Sequence, residues 1–234
     1  QAAGELVALK RGRPGDDVTS WLMQHQANLT DEEMVHQLAL LLGAGAEPLR
    51  NLIGNTLHRL LTHDRYAREG GLIDEALDDT LWENPPMSNY APHYPAGDVE
   101  LAGQPLQSGD LVLVSFAAAN TGPALQAARQ AGSNRAHLAW SAGPHACPSK
   151  EPARHITVTA IENLFNELPD VELAVPEDSL TWRPGPFNRA LATLPARFTP
   201  AQSGRRPDPR SGAGAAAPET TAGPARTPER GGMW

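Results

Sequence analysis

Apolar residues recur three and four positions apart through Met34, Leu38, Leu41, Leu42, Leu49, Leu52, Ile53, Leu57, Leu60 and Leu61, the spacing of one face of a long helix. Thr30 and Glu33 stand before that run at the interval of a capping box, which places its start. Pro48 interrupts the run. Proline lacks an N–H and its ring clashes with the preceding turn, so a local opening or kink is expected around Gly43-Ala44-Gly45-Ala46-Glu47-Pro48. The two glycines allow another body to approach the helix closely.

Shorter elements flank this helix. Residues 4–13 read as helical, and Pro14-Gly15-Asp16-Asp17 is a turn whose aspartates cap a helix over 18–26. A further helix over 72–82 is closed by Asn84-Pro85-Pro86. Short strands are predicted at 99–101 and 111–116, joined by a turn at Ser108-Gly109, and again at 171–174 and 194–198. A helix beginning near Ser149 carries Ile156, Ala160, Ile161, Leu164, Phe165 and Leu168 on one face. The pattern is mainly α with small β-sheets, an α+β class. Beyond Pro200, Gly, Ala, Pro, Ser, Thr and Arg dominate, a composition that buries too little apolar surface to order itself; a disordered tail is expected over 201–234, after one domain over 1–200.

The chain has 234 residues, 40% of them apolar and 20% charged, ordinary values for a globular protein. Formal net charge is −8, and residues before the tail are more acidic than that, since the tail is locally basic. This balance argues against a nucleic-acid partner and against an anionic membrane surface. No apolar run approaches a membrane-spanning length, the start carries no signal-peptide pattern, and a single cysteine fits a reducing cytoplasm.

That cysteine, Cys147, lies in Trp140-Ser-Ala-Gly-Pro-His-Ala-Cys-Pro-Ser149, a tight Gly-Pro loop running into a helix. A helix N-terminus favours negative charge, so the sulfur suits metal ligation or nucleophilic attack better than inert packing. Two chemistries follow from the residues: metal ligation, for example zinc held by His137, His145 and Cys147, or nucleophilic attack by Cys147 with His145 as base.

Trp140, Gly143 and Cys147 resemble the proximal loop of the cytochrome P-450 family, an aromatic, a glycine three residues on and a cysteine four beyond that. The resemblance implies haem b as cofactor, Cys147 as the axial iron ligand, and Trp140 and Gly143 as parts of the loop beneath the porphyrin. It further implies that His145 contacts one haem propionate and His93 the other, where the family has an arginine. The long helix resembles the family's distal helix, with Ala44, Gly45 and Glu47 at the oxygen side. The residues from 117 to 133 resemble the family's meander, and Trp182-Arg-Pro-Gly-Pro-Phe187 its C-terminal hairpin.

Besides Trp140 where the family has phenylalanine and His93 where it has arginine, three positions depart from the family pattern. Ser149 replaces a glycine, Pro48 replaces the threonine whose hydroxyl helps deliver protons, and Trp82 replaces the arginine of a Glu-x-x-Arg pair. A branch of actinobacterial members has the same Leu-Trp ending. Asp79 stands at the glutamate position, where it would meet Arg129, Arg135 or solvent. The implied function is a monooxygenase that inserts one atom of O2 into an organic substrate, using electrons from a ferredoxin and its reductase. The alternative is a haem-binding regulatory protein or a truncated inactive homologue. The resemblance covers the family's C-terminal half, and an upstream segment is expected before Gln1.

Overall fold

In the computed structural model, which describes residues 1–67, 72–130 and 135–200, the chain opens with helix α1 (Ala2–Gly12). The tail expected over 201–234 lies outside the described residues. Asp17 caps α2 (Val18–Met23) by accepting the Ser20 N–H at 3.0 Å, so the helix starts where the aspartates predict and ends before the expected Gln26.

At Thr30 the hydroxyl accepts the Glu33 N–H at 3.3 Å, and the Glu33 carboxylate accepts the Thr30 N–H at 2.8 Å, the reciprocal box that the spacing predicts. The resulting α3 (Asp31–Thr62) runs through Pro48 as one element. What the proline removes is the one hydrogen bond that the Ala44 carbonyl would accept. Helix α4 (Asp64–Ala67) and α5 (Ile73–Glu83) follow.

The two ends of α3 are buried for different reasons. Near its start, Met34 and Leu38 pack with Val7 of α1. Near its end, Leu52 packs with Leu77 and Leu81 of α5, and Leu60 with Tyr66, Ala76 and Ile161. Between them, no described element covers residues 39–46, and Leu40, Leu41 and Leu42 are 60%, 40% and 68% exposed. Leu41 and Leu42 therefore do not share the buried face that their spacing implies.

After α5, strand β1 (Asn89–His93) pairs antiparallel with β4 (Val112–Ser115), while β2 (Val99–Leu101) pairs with β3 (Gln104–Leu106). The predicted strands at 99–101 and 111–116 thus have different partners. A tight turn with Ala102 and Gly103 at φ of 51° and 77° closes β2 onto a strand the sequence did not announce. Where a meander is expected, the chain forms α6 (Phe116–Thr121) and α7 (Pro123–Gln130). Ser115 caps α6, and Asn120, fully buried, donates to the Leu81 carbonyl at 3.1 Å and accepts the Leu138 N–H at 2.6 Å. One amide therefore ties this segment to α5 and to the approach to the cysteine loop.

Helix α8 (Lys150–Glu167) buries Arg154, Thr157 and Ile161, whereas Ile156, expected on its apolar face, is 47% exposed. The rotation follows from Arg154, which donates to Asp74 at 2.8 Å and also bonds Asp78 of α5. Strands β5 (Glu172–Leu173) and β6 (Ala196–Arg197) form within the two stretches predicted as strands, and they pair antiparallel. Among the described residues, no helix is long and apolar enough to cross a membrane.

These burial differences set an expected contrast. Leu77→Ala removes a fully buried side chain and should cost about 3 kcal/mol, whereas Leu42→Ala should change stability by less than about 0.5 kcal/mol. Urea unfolding of the chain followed by circular dichroism measures both.

Candidate functional site

The Trp140 side chain packs against the Leu52, Leu77 and Leu81 cluster, and its carbonyl accepts the Cys147 N–H at 2.8 Å. Both ends of the cysteine loop are thereby fixed to the core formed by α3 and α5. Between them, Ser141 and Gly143 adopt left-handed φ values of 61° and 68°, and Gly143 opens a single 3-10 turn ending at His145. A Cβ at Gly143 would meet nothing within 4 Å, so glycine is needed there for its backbone angle and not for space. Cys147 is half-buried with a free thiol. Helix α8 begins three residues later, and Ser149 makes no side-chain cap, which leaves the first N–H groups at the positive helix end uncapped.

The other residues singled out from sequence fall on two further elements. Ala44 and Gly45 are exposed on the middle of α3, with nothing within 4 Å of a Cβ placed at Gly45. Glu47 is half-exposed, its Oε1 at 3.0 Å from Arg183 and 3.5 Å from Arg50. Leu52, which anchors Trp140, lies eight residues along α3 from Ala44, about 12 Å along the helix axis. His145 is exposed at the end of its turn. His93 is exposed on β1, and its Nδ1 donates to the Ala91 carbonyl at 2.7 Å. That bond fixes the proton on Nδ1, so Nε2 can donate to a carboxylate only from the imidazolium; a neutral donor role is excluded by this geometry.

The charged residues of α5 take partners that the sequence did not identify. Asp79 meets neither Arg129 nor Arg135 but Arg65, at 2.5 Å, and the Tyr66 hydroxyl. Burial, followed by the bond to Asp79, pushes the Tyr66 phenol up to about 12. Arg135 instead bonds Asp78 at 2.9 Å, and Arg129 bonds Glu83, which also holds Arg59 of α3. Burial works against the Glu83 charge, but the bonds and charges of Arg59 and Arg129 outweigh it and keep the carboxyl below its usual range.

Trp82 stands edge-on to His137, ring centroids 5.7 Å apart. His137 is 5% exposed, with neither ring nitrogen hydrogen-bonded. Burial, only partly opposed by Asp78, lowers its pKa to about 4, with Lys150 and Arg154 acting in the same direction as burial. Among the described residues no group of three or more His, Cys, Asp or Glu is placed to hold a metal ion, which sets aside zinc on His137, His145 and Cys147.

Comparison with known proteins agrees with this architecture. No family model matches the chain. It is 32% identical over 213 residues to the 2-hydroxy-5-methyl-1-naphthoate 7-hydroxylase of Streptomyces carzinostaticus, covering 85% of this chain and 51% of that protein. It is 33% identical over 214 residues to the cytochrome P450 monooxygenase PikC of Streptomyces venezuelae, covering 86% and 51%. Among solved structures, the ligand-free P450 monooxygenase TamI superposes with a TM-score of 0.72 at 26% identity, over 84% of this chain and 51% of that one. The fold is that of a cytochrome P450. The chain belongs to that family, and it spans about half the length of the curated relatives it matches.

Haem b is the cofactor of this family, and the residues here fit it. Among the described residues the free thiol of Cys147 belongs to no group of three or more potential ligands, which suits a metal that arrives with its own equatorial donors rather than a bare ion needing several side chains. The open left-handed Gly143 beside it and the uncovered face at Gly45 leave room for a planar group.

Two outcomes follow. Ser141 has a Cβ in a left-handed conformation, so Ser141→Gly should stabilise the protein by about 1 kcal/mol in denaturant unfolding. His137 accepts a proton more readily in the unfolded chain, so its contribution is fully present above its ordinary value of 6.5 and is lost as pH falls toward about 4. The loss is roughly 3 kcal/mol. Glu83 adds a loss in the same direction below 4.5. In a series of unfolding curves against pH, His137→Phe should flatten the slope between 4 and 6.5 and leave the Glu83 limb.

Proposed function

We propose that the protein acts as a haem-thiolate monooxygenase, with Cys147 as the axial ligand. The observation that carries this reading is the free thiol of Cys147 on a loop fixed at Trp140 and followed three residues later by the start of α8. When bound, haem b supplies oxygen activation: one atom of O2 enters a C–H bond of an organic substrate, and the other leaves as water with two protons and two electrons. Electrons come from a ferredoxin and its reductase. Partners and reaction are carried over from relatives about twice as long as this chain.

The residues of this chain have separable tasks in that scheme. The Trp140 carbonyl holds the Cys147 N–H and sets the position of the sulfur. His145 and the imidazolium form of His93 bind carboxylates at the haem edge. Ala44 and Gly45 present a small, uncovered surface at which oxygen and substrate fit. Glu47, half in solvent, takes up protons and passes them inward, since Pro48 offers neither a hydroxyl nor an N–H.

The test is the carbon monoxide difference spectrum of the dithionite-reduced protein loaded with haem. It is taken on this chain and on this chain fused to the corresponding upstream half of PikC. A strongly red-shifted Soret band is expected in the fused form and should vanish in Cys147→Ser. Absence of the band in both forms would overturn the assignment. His93→Arg should slow haem loss to apomyoglobin by roughly tenfold, because a permanently charged, bidentate donor replaces one that must first be protonated.

A further inference from the structure

Three observations around Glu47 are independent of the cysteine loop. Arg183 spans two residues of α3: one terminal nitrogen lies 3.0 Å from Glu47 Oε1 and donates to Asn51 Oδ1 at 2.9 Å. Asn51 is 4% exposed, and its Nδ2 is buried with no hydrogen-bond partner. Arg183 is itself held by the hairpin near the end of the described chain. Its N–H donates to the Ala190 carbonyl at 2.8 Å, and the neighbouring Trp182 ring lies 3.9 Å beneath the Arg189 guanidinium.

The geometry on the helix makes this a unit. Residues 47 and 51 are four apart and adjacent on one face, while Asn51 is seven residues from Ala44 and nearly in line with it. A buried amide N–H without a partner costs about 1–3 kcal/mol, so a site that keeps one has a use for the donor. Position 48, on the same turn, carries no side-chain donor, because proline has none.

We propose that Arg183 is a positioning residue, which holds the Glu47 carboxylate beside Asn51 and orients the Asn51 amide so that its Nδ2–H supplies the donor that Pro48 lacks. The amide would donate to a water near Ala44 and Gly45; that water would take a proton from the Glu47 carboxyl as it releases one of its own to the reacting oxygen, and the half-exposed carboxylate would regain its proton from solvent. Asn51 therefore orients the path and carries no proton. This inference rests on the monooxygenase reading for its purpose but on α3 and the hairpin alone for its geometry.

Its test has two arms, both using Arg183→Ala, Arg183→Lys, Asn51→Ala and the double variant Arg183→Ala/Asn51→Ala. In the haem-loaded fused protein, product rate, the fraction of reducing equivalents lost as hydrogen peroxide and the D2O effect on rate are compared. Arg183→Ala and Asn51→Ala should each lower product rate roughly tenfold, raise the peroxide fraction and enlarge the D2O effect, with an unchanged carbon monoxide spectrum. Arg183→Lys should recover part of the loss, and the double variant should be no worse than either single one. Unchanged peroxide fraction and D2O effect in Arg183→Ala would overturn the proposal. In the second arm, haem-free full chain labelled with 15N is observed by NMR. Arg183→Ala should move the Asn51 side-chain amide signal while leaving that of Asn55, which donates to the Asn84 and Arg189 carbonyls, in place. An unmoved Asn51 signal would overturn the inference whatever the spectrum shows. A missing thiolate band in the fused parent, with the Asn51 signal moved, would remove the function and keep the coupling.

Discussion

Two guanidinium groups taken out of water decide how the helices of this chain meet. Arg59 and Arg154 are 6% and 5% exposed, and an uncompensated buried charge would cost several kcal/mol. Both find their acids on α5: Glu83 for Arg59, Asp74 and Asp78 for Arg154. Because Arg59 belongs to α3 and Arg154 to α8, satisfying the two charges fixes both helices against the same short element. Apolar packing of Leu52, Leu77 and Leu81 fills the space that this pairing defines.

The cysteine loop inherits its position from that arrangement. Trp140 leans on the Leu52 cluster and grips the Cys147 N–H, while α8, oriented by Arg154, starts three residues beyond the sulfur. On α5, Trp82 stands edge-on to a buried, neutral His137, and the next residue, Glu83, carries the ionic link from that helix to Arg129 of α7.

The open middle of α3 is the counterpart of this tight region. Ala44 and Gly45 sit among exposed leucines, as a small-residue window does before a planar group or further chain covers it. Glu47 marks its edge, drawn toward the C-terminal hairpin by Arg183. Ends that pack and a middle that does not are what a helix shared between a core and a ligand surface requires.

Much of this was legible locally. The Thr30 box, the Asp17 cap and the Trp140-Gly143-Cys147 spacing are fixed by neighbours in the chain, and short-range geometry suffices to read them. The partners of Asp79, the exposure of Leu41, Leu42 and Ile156, and the pairing of β1 with β4 were not, because each depends on residues far along the sequence. The helices at 116–130 escaped notice since small polar residues give no periodic signal, and it is the buried Asn120 that holds them. The sequence by itself determined the fold family, because the Trp140-Gly143-Cys147 spacing within one loop resembles that family's loop closely enough to name it. Only the tertiary structure decided which arginine meets which acid, because charge pairing across the core is chosen by three-dimensional proximity and desolvation, for which the order of residues carries no mark.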